Sequence, residues 1–303
     1  MKVAVTGATG LIGRAVIRQL VERGDDVVAL SRDAASARSS LGVEAVEWAD
    51  PKGAPAPAAA FEGVDGVIHL LGEPVAQRWS DEAKREIRDS RVLGTCNLIA
   101  GMRSAGPRLS VLVAQSATGY YGPRGDEPVS ESEPAGSDFL AGVVVDWEAE
   151  VQKASDELGL RTPICRTGVV LSSSGGALET MLPPFKLGVG GPVAGGDQYI
   201  PWVHLDDVVG ALLFALDTEA ATGPLNVTAP APATNKDFSK ALGRALHRPA
   251  VMPVPGFAIK LMYGEMSTIV TTGVRAVPQR LEALGYRFRR PSLDDALAAA
   301  LQD

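Results

Sequence analysis

The stretch KVAVTGATGLIGRAVIRQLVERGDDVVALSRD, residues 2–33, decides the fold. KVAVTG (2–7) is a short apolar strand, LIGRAVIRQLVERG (11–24) repeats its apolar residues at helical spacing and stops at a glycine, and DVVAL (26–30) is a second strand. Gly7, Gly10 and Gly13 fall between the first strand and the helix. Glycine there permits the tight turn, lets backbone approach a pyrophosphate and lets helix and strand pack closely, while the helix N-terminus favours negative charge. Strand, helix and strand in that order predict a dinucleotide site with contacts at Gly7, Thr9, Gly10, Leu11, Ile12 and Gly13.

The end of the second strand selects the cofactor. An acidic residue there would bind the adenosine ribose diol of NAD, but the sequence reads ALSRD, with Ser31 and Arg32 at that point. A guanidinium pairs with a 2′-phosphate in bidentate fashion where a carboxylate would repel it, so NADP(H) is the expected cofactor.

Working outward, strands and helices alternate to about residue 171: VEAVEW (43–48), GVIHLLG (66–72), a long helix within residues 79–106, SVLVAQSA (110–117), a helix opening at DFLAGVVVDWEAE (138–150), and a strand TPICRTGVVL (162–171). This predicts an α/β fold, a Rossmann-type doubly wound parallel sheet with a smaller, mainly helical C-terminal substrate lobe. The expected division is a cofactor domain at 1–228, with a substrate-loop insertion at about 172–204, and a C-terminal lobe at 229–303. The Pro/Ala-rich PKGAPAPAAA (51–60) reads as a surface loop.

The 303 residues carry a net charge of −7 with 46% hydrophobic and 21% charged residues, an ordinary globular balance. That charge gives no general pull toward nucleic acid or an anionic membrane, although local basic sites are compatible with it. No apolar run approaches the roughly 18 residues that span a bilayer, and no leader is visible, so a cytoplasmic protein without nucleic-acid or membrane partners, monomeric or a homodimer, is expected. Cys96 and Cys165 sit in apolar patterns and read as buried free thiols. His69, His204 and His247 are far apart, and no metal is expected.

The spacing GxxGxxG is similar to that of the extended branch of the short-chain dehydrogenase/reductase superfamily. HLLGEPV (69–75), RWSDEAKREIRDSRVLGTCNL (78–98), SATGYYG (116–122), RTGVVLSSSGGAL (166–178), LPPFKLGVGGPVAGGDQYIPWVHLDDV (182–208) and PVPGFAIKLMYGEM (253–266) together resemble the epimerase family of the SDR39U1 and YfcH type over nearly the whole chain. The resemblance implies cofactor contacts at Ser31, Arg32, Leu70, Leu71, Gly72, Glu86, Arg91 and Val169. For Glu86 and Arg91 an exposed helix face is the competing reading. Asp50 reads equally as an adenine neighbour or as a turn residue before Pro51.

Members of the superfamily are similar in a Ser at the end of the fifth strand and a Tyr-x-x-x-Lys on the next helix, where the Lys ammonium and the cofactor's charge lower the phenol's pKa. Ser116 fits the first element, with Ala117 as an alternative register. Anchored on the Glu that commonly follows the Lys by four, Leu140 stands at the Tyr position and Val144 at the Lys position. An apolar side chain exchanges no proton. The resemblance therefore implies either an NADP-dependent oxidoreductase or epimerase of an unknown small molecule, with Ser116, Tyr120 and Tyr121 as catalytic candidates, or an NADP(H)-binding sensor or scaffold without turnover. Gln198, Trp202 and His204 lie in the segment that builds the substrate pocket in extended-branch relatives, Asp206 and Asp207 are expected to cap the following helix, and Lys186 and Arg166 are candidate anion contacts.

Overall fold

The computed structural model of the chain describes residues 1–302. Its strands are β1 Lys2–Thr6, β2 Asp26–Ser31, β3 Glu44–Glu47, β4 Gly66–His69, β5 Val111–Ala117, β6 Pro128–Val129, β7 Pro163–Thr167, β8 Val169–Leu171, β9 Tyr199–Ile200, β10 Trp202–His204, β11 Gly223–Val227, β12 Ala233–Thr234 and β13 Arg275–Ala276. The helices are α1 Leu11–Glu22, α2 Ala34–Leu41, α3 Asp81–Met102, α4 Phe139–Leu158, α5 Gly176–Lys186, α6 Leu205–Asp217, α7 Asn235–Ala245, α8 Gly256–Tyr263, α9 Ser267–Thr271, α10 Gln279–Ala283 and α11 Leu293–Ala300. Seven strands form one parallel sheet in the order β11-β7-β5-β4-β1-β2-β3. The order reverses between β1 and β4, and in such sheets the crevice outside the carboxyl ends of these two strands takes the ligand.

Both faces of the sheet are covered, so its strands are apolar on both sides rather than alternating with polar residues. Val3, Val5, Ala29, Ile68 and Val113 pack on one side with α1 and α6, through Val16, Leu20, Val208 and Leu212. Ala4, Leu30, Val67, Leu112 and Ala114 pack on the other with α3 and α4, through Leu98, Met102, Trp147 and Val151. A separate core of Leu178, Leu182, Trp202, Phe238, Leu242 and Leu297 holds the smaller lobe together.

Local chemistry explains several helix boundaries. Asp33, Ser80 and Asp138 cap α2, α3 and α4 by accepting from Ser36, Ala83 and Ala141 N–H at 2.9, 3.1 and 2.8 Å. Gly42 and Gly159 close α2 and α4 in the left-handed region.

Four expectations need correcting. The strand 162–171 is two strands, because Gly168 breaks it: a Cβ there would lie 1.9 Å from Pro201 O, and only glycine admits the crossing backbone. The Pro/Ala-rich loop is not merely superficial, since Ala56, Ala60 and Phe61 are buried in the α3/α4 core. Cys165 is buried as expected, whereas Cys96 is exposed, since α3 turns Thr95, Leu98, Ile99 and Met102 inward and Cys96 away from them. The cap of α6 is His204, whose Nδ1 accepts from Asp206 N–H at 3.1 Å. Asp207 is instead buried and accepts from Arg289 and Arg290 N–H at 2.6 and 2.9 Å, fastening the C-terminal segment to α6. Among the described residues no helix is long and apolar enough to cross a membrane.

Candidate functional site

The glycine loop closes the carboxyl end of β1. Gly7 has φ +61°, and a Cβ there would sit 2.5 Å from Leu70 O; at Gly13 it would sit 2.3 Å from Gly7 O. Each approach leaves room for hydrogen only. Gly10 is the N-cap of α1 with no side chain on the first-turn N–H groups and no acidic residue in that turn, while Gly10 N–H donates to Gly7 O at 3.0 Å. Thr9 and Gly10 are exposed, and Leu11 and Ile12 are half-buried. The result is a concave backbone cradle at a helix N-terminus, with the geometry of an anion site.

Ser31 ends β2, with its Oγ accepting from Asp33 N–H at 3.3 Å. Arg32 follows it and is exposed. Beside β4, Leu71 fills the space that Gly94 of α3 leaves open, and Arg91 lies against Gly72, its Nη2 3.0 Å from where a Cβ would be. Arg91 donates to Ile87 O at 2.9 Å and stands over the Trp147 ring at 5.2 Å. Burial pulls the pKa of its guanidinium down to about 10, with the charge of Glu73 opposing the shift. Glu86 points elsewhere, pairing with Lys52 at 2.6 Å on a half-exposed surface. Asp50 accepts from Gly53 N–H at 3.0 Å and serves the turn. Val169, half-buried, donates its N–H to Pro201 O at 2.7 Å.

Beneath the cradle runs a polar chain that sequence reasoning missed. His69 sits between Thr6 Oγ1, 2.8 Å from Nδ1, and Thr95 Oγ1, 2.9 Å from Nε2. Leu70 N–H donates to Thr6 Oγ1 and Trp147 Nε1–H to Thr95 Oγ1. The imidazole is fully buried, and burial draws it down to about 3. A neutral ring thus joins β1 and β4 to α3 and α4.

At the end of β5 the Ser116 hydroxyl donates to Glu148 Oε1 at 2.5 Å. Glu148 also receives Arg166 Nε–H on Oε1 at 2.9 Å and Nη2–H on Oε2 at 2.7 Å. Arg166 Nη1–H reaches Tyr121 Oη at 3.1 Å, and Tyr121 donates to Asn226 Oδ1 at 2.6 Å. Burial works against the charge on Arg166, but Glu148 more than offsets it and holds the guanidinium above its ordinary range. The guanidinium also stacks on the Tyr120 ring, 3.4 Å from its centroid.

This arrangement sorts the catalytic candidates. Leu140 and Val144 face the turn at Gly119, where a Cβ would be 3.7 Å from Leu140 Cβ and 4.0 Å from Val144 Cγ2. Tyr121 is completely buried, with burial pushing its phenol up, and its hydroxyl is engaged on both sides. Of the two tyrosines the sequence offers as the acid, Tyr121 has its hydroxyl held between Arg166 and Asn226. Tyr120 is half-buried and Ser116 is 2% exposed with its proton turned to Glu148. Arg166 is not an anion contact, because Glu148 occupies it. Gln198 and Trp202 are likewise committed, Gln198 to Val193 O and Val270 O at 3.0 and 2.9 Å and Trp202 to Ala231 O at 3.1 Å. Glu148 was the one partner with a readable signal, standing one helical turn after Val144 on the same face.

Residues 3–228 match the profile of the NAD dependent epimerase/dehydratase family, and residues 254–300 match a domain of unknown function, DUF1731. An epimerase family protein of Mycobacterium bovis is 38% identical over 300 residues, covering 98% of this chain and 97% of its own. The chloroplastic SDR39U1 homolog of Arabidopsis thaliana, also an epimerase family protein, is 36% identical over 310 residues, covering 100% and 87%. A crystal structure of the human epimerase family protein SDR39U1 with NADPH superposes with a TM-score of 0.89 at 32% identity, covering the whole of both chains.

Proposed function

This chain belongs to the NAD dependent epimerase/dehydratase family, and on that premise we propose that it binds NADP(H) and acts as an oxidoreductase or epimerase on a small molecule. One observation carries the reading: the cradle of Gly7, Gly10 and Gly13 opens on the bare N-terminus of α1, with the exposed Arg32 guanidinium at the end of the neighbouring strand. The cradle would hold the pyrophosphate and Arg32 the 2′-phosphate, with Leu70, Leu71, Gly72 and Arg91 along the adenosine side and Val169 toward the nicotinamide. The human relative bound to NADPH supports that choice.

When bound, the dihydronicotinamide supplies a hydride. This chain's own part is to orient the substrate and manage a proton. With its hydroxyl hydrogen committed to Glu148, Ser116 offers lone pairs and accepts from a substrate hydroxyl. Tyr120 is the available phenol, and its ring is held against the Arg166 cation.

A second reading, cofactor binding without turnover, draws on Leu140 and Val144, which face the turn where a phenol and an ammonium would work. Titration with NADPH, together with NADPH oxidation and NADP reduction over carbonyl, alcohol and nucleotide-sugar substrates, separates the two. Turnover that Tyr120→Phe or Ser116→Ala removes while NADPH affinity persists supports the enzyme. Tight binding with no turnover anywhere in the panel supports the second reading, and absence of NADPH binding defeats both.

A further inference from the structure

An apolar surface on the smaller lobe has no cover among the described residues. Leu187, Val251, Phe257 and Leu261 are 79, 81, 76 and 79% exposed, and Met252 and Met262 are more than half exposed. They lie on one continuous piece of structure. The segment 186–194 runs beside 248–254, joined by Arg248 Nε–H to Lys186 O, Val254 N–H to Pro192 O and Ala194 N–H to Val254 O at 3.2, 2.9 and 2.9 Å. The chain then passes directly into α8, none of whose residues is buried. Phe257 and Leu261, four apart, share a face of that helix. A surface helix ordinarily turns its polar side to water; this one turns phenylalanine, leucine and methionine. Contiguous exposed apolar surface of this kind marks an interaction site.

Charge says what kind. The chain is acidic overall, yet this surface is edged by the exposed cations Lys186, Lys240, Arg248 and Lys260. Lys240, Arg244, His247 and Arg248 line a recess of about 640 Å³ that ends at Ala250 and Val251. Of the carboxylates on the adjoining elements, Asp294 pairs with Arg244 at 2.6 Å, Glu265 with Lys84 at 2.5 Å and Asp237 accepts from Thr234 Oγ1–H at 2.8 Å, while Glu179 and Asp295 are exposed, so the basic character of the face rests on Lys186, Lys240, Arg248 and Lys260.

We propose that this face docks peripherally on an anionic bilayer surface. Phe257, Leu261 and the Val251–Met252 tip enter the boundary between headgroups and acyl chains, and the basic recess takes an anionic phospholipid headgroup. Apolar insertion and cationic attraction are the two signals that stable peripheral binding needs. The proposal stands on surface chemistry alone.

Sedimentation with vesicles tests it, using phosphatidylcholine alone and phosphatidylcholine mixed equally with phosphatidylglycerol. The protein is expected to pellet with the mixed vesicles and to bind the neutral ones on the order of tenfold more weakly, with the difference shrinking as salt is raised. The double variant Phe257→Asp/Leu261→Asp should lose binding, and Lys240→Glu/Lys260→Glu should weaken it by about tenfold or more. All four positions are exposed, so far-UV circular dichroism and Tm should match the parent. Absent binding, equal binding to both vesicles, or binding unchanged in either variant overturns the proposal. A concentration-dependent dimer that Phe257→Asp/Leu261→Asp dissolves also overturns it, by assigning the face to a second copy.

Discussion

Arg166 and Glu148 meet in a two-pronged ion pair at the carboxyl edge of the sheet, with N–O distances of 2.9 and 2.7 Å and side chains 4 and 11% exposed. It stands one helical turn beyond Val144, and it organises Ser116, Tyr120 and Tyr121 around itself. A buried pair of this kind positions its neighbours more than it stabilises the fold, because desolvating two charges offsets much of their attraction.

Removing one partner should therefore cost far more than removing both. Arg166→Met leaves the Glu148 carboxylate buried and unpaired, an expected loss of about 3–5 kcal/mol. The double variant Arg166→Met/Glu148→Leu should recover much of it. Denaturant midpoints of the two variants and the parent check this, and a double variant no more stable than Arg166→Met would refute it.

Adjacent tyrosines should behave differently. Tyr121→Phe strands Asn226 Oδ1 in a buried site, at an expected cost of about 1–3 kcal/mol. Tyr120→Phe keeps the ring beneath Arg166 and should stay within about 0.5 kcal/mol of the parent. Thermal or denaturant unfolding reads both. Equal effects would mean that the Tyr121 hydroxyl is not part of the packed base.

His69 gives the fold an acid-side weakness. Burial draws its imidazole from the ordinary 6.5 down to about 3, so between those values the unfolded chain binds a proton that the folded chain refuses. Its contribution is fully present above 6.5 and is lost as pH falls toward 3, at about 1.4 kcal/mol per pH unit where the slope is steepest. His69→Gln should lower stability at neutral pH and flatten the stability profile across that window. A variant slope equal to the parent's would exclude His69 as its source.

Arg32→Ala should weaken NADPH binding far more than NADH binding, on the order of tenfold or more in the ratio, since it removes a charge-assisted contact to the 2′-phosphate alone. Fluorescence titration with both cofactors measures the ratio. An equal loss for both would place Arg32 elsewhere.

The cofactor cradle was legible in the sequence because its determinants are local. Gly7, Gly10 and Gly13 lie within seven residues of each other; Gly7 takes a left-handed backbone that favours glycine, and Gly13 comes too close to Gly7 O to carry a Cβ. Strand and helix order was legible for a similar reason, since periodicity and caps such as Asp33, Ser80 and Asp138 act over a few residues. That α4 carries apolar Leu140 and Val144 where it faces the turn at Gly119 could be read in part, since the residues themselves are plain in the sequence.

The polar partnerships around Ser116 needed the tertiary structure. Ser116 meets Glu148 across 32 positions, Arg166 meets Tyr121 across 45, and His69 meets Thr6 across 63, and no local period encodes such partnerships. Burial was also decided there: Tyr121 is sealed while Tyr120 is not, and Cys96 faces out of an apolar-looking run. The same holds for the uncovered face of α8, GFAIKLMY, none of whose residues is buried. By itself the sequence determined the cradle and the order of elements, which depend on each residue's near neighbours. Which polar groups pair, and which apolar ones stay in water, was set only when the sheet and the smaller lobe brought distant residues together.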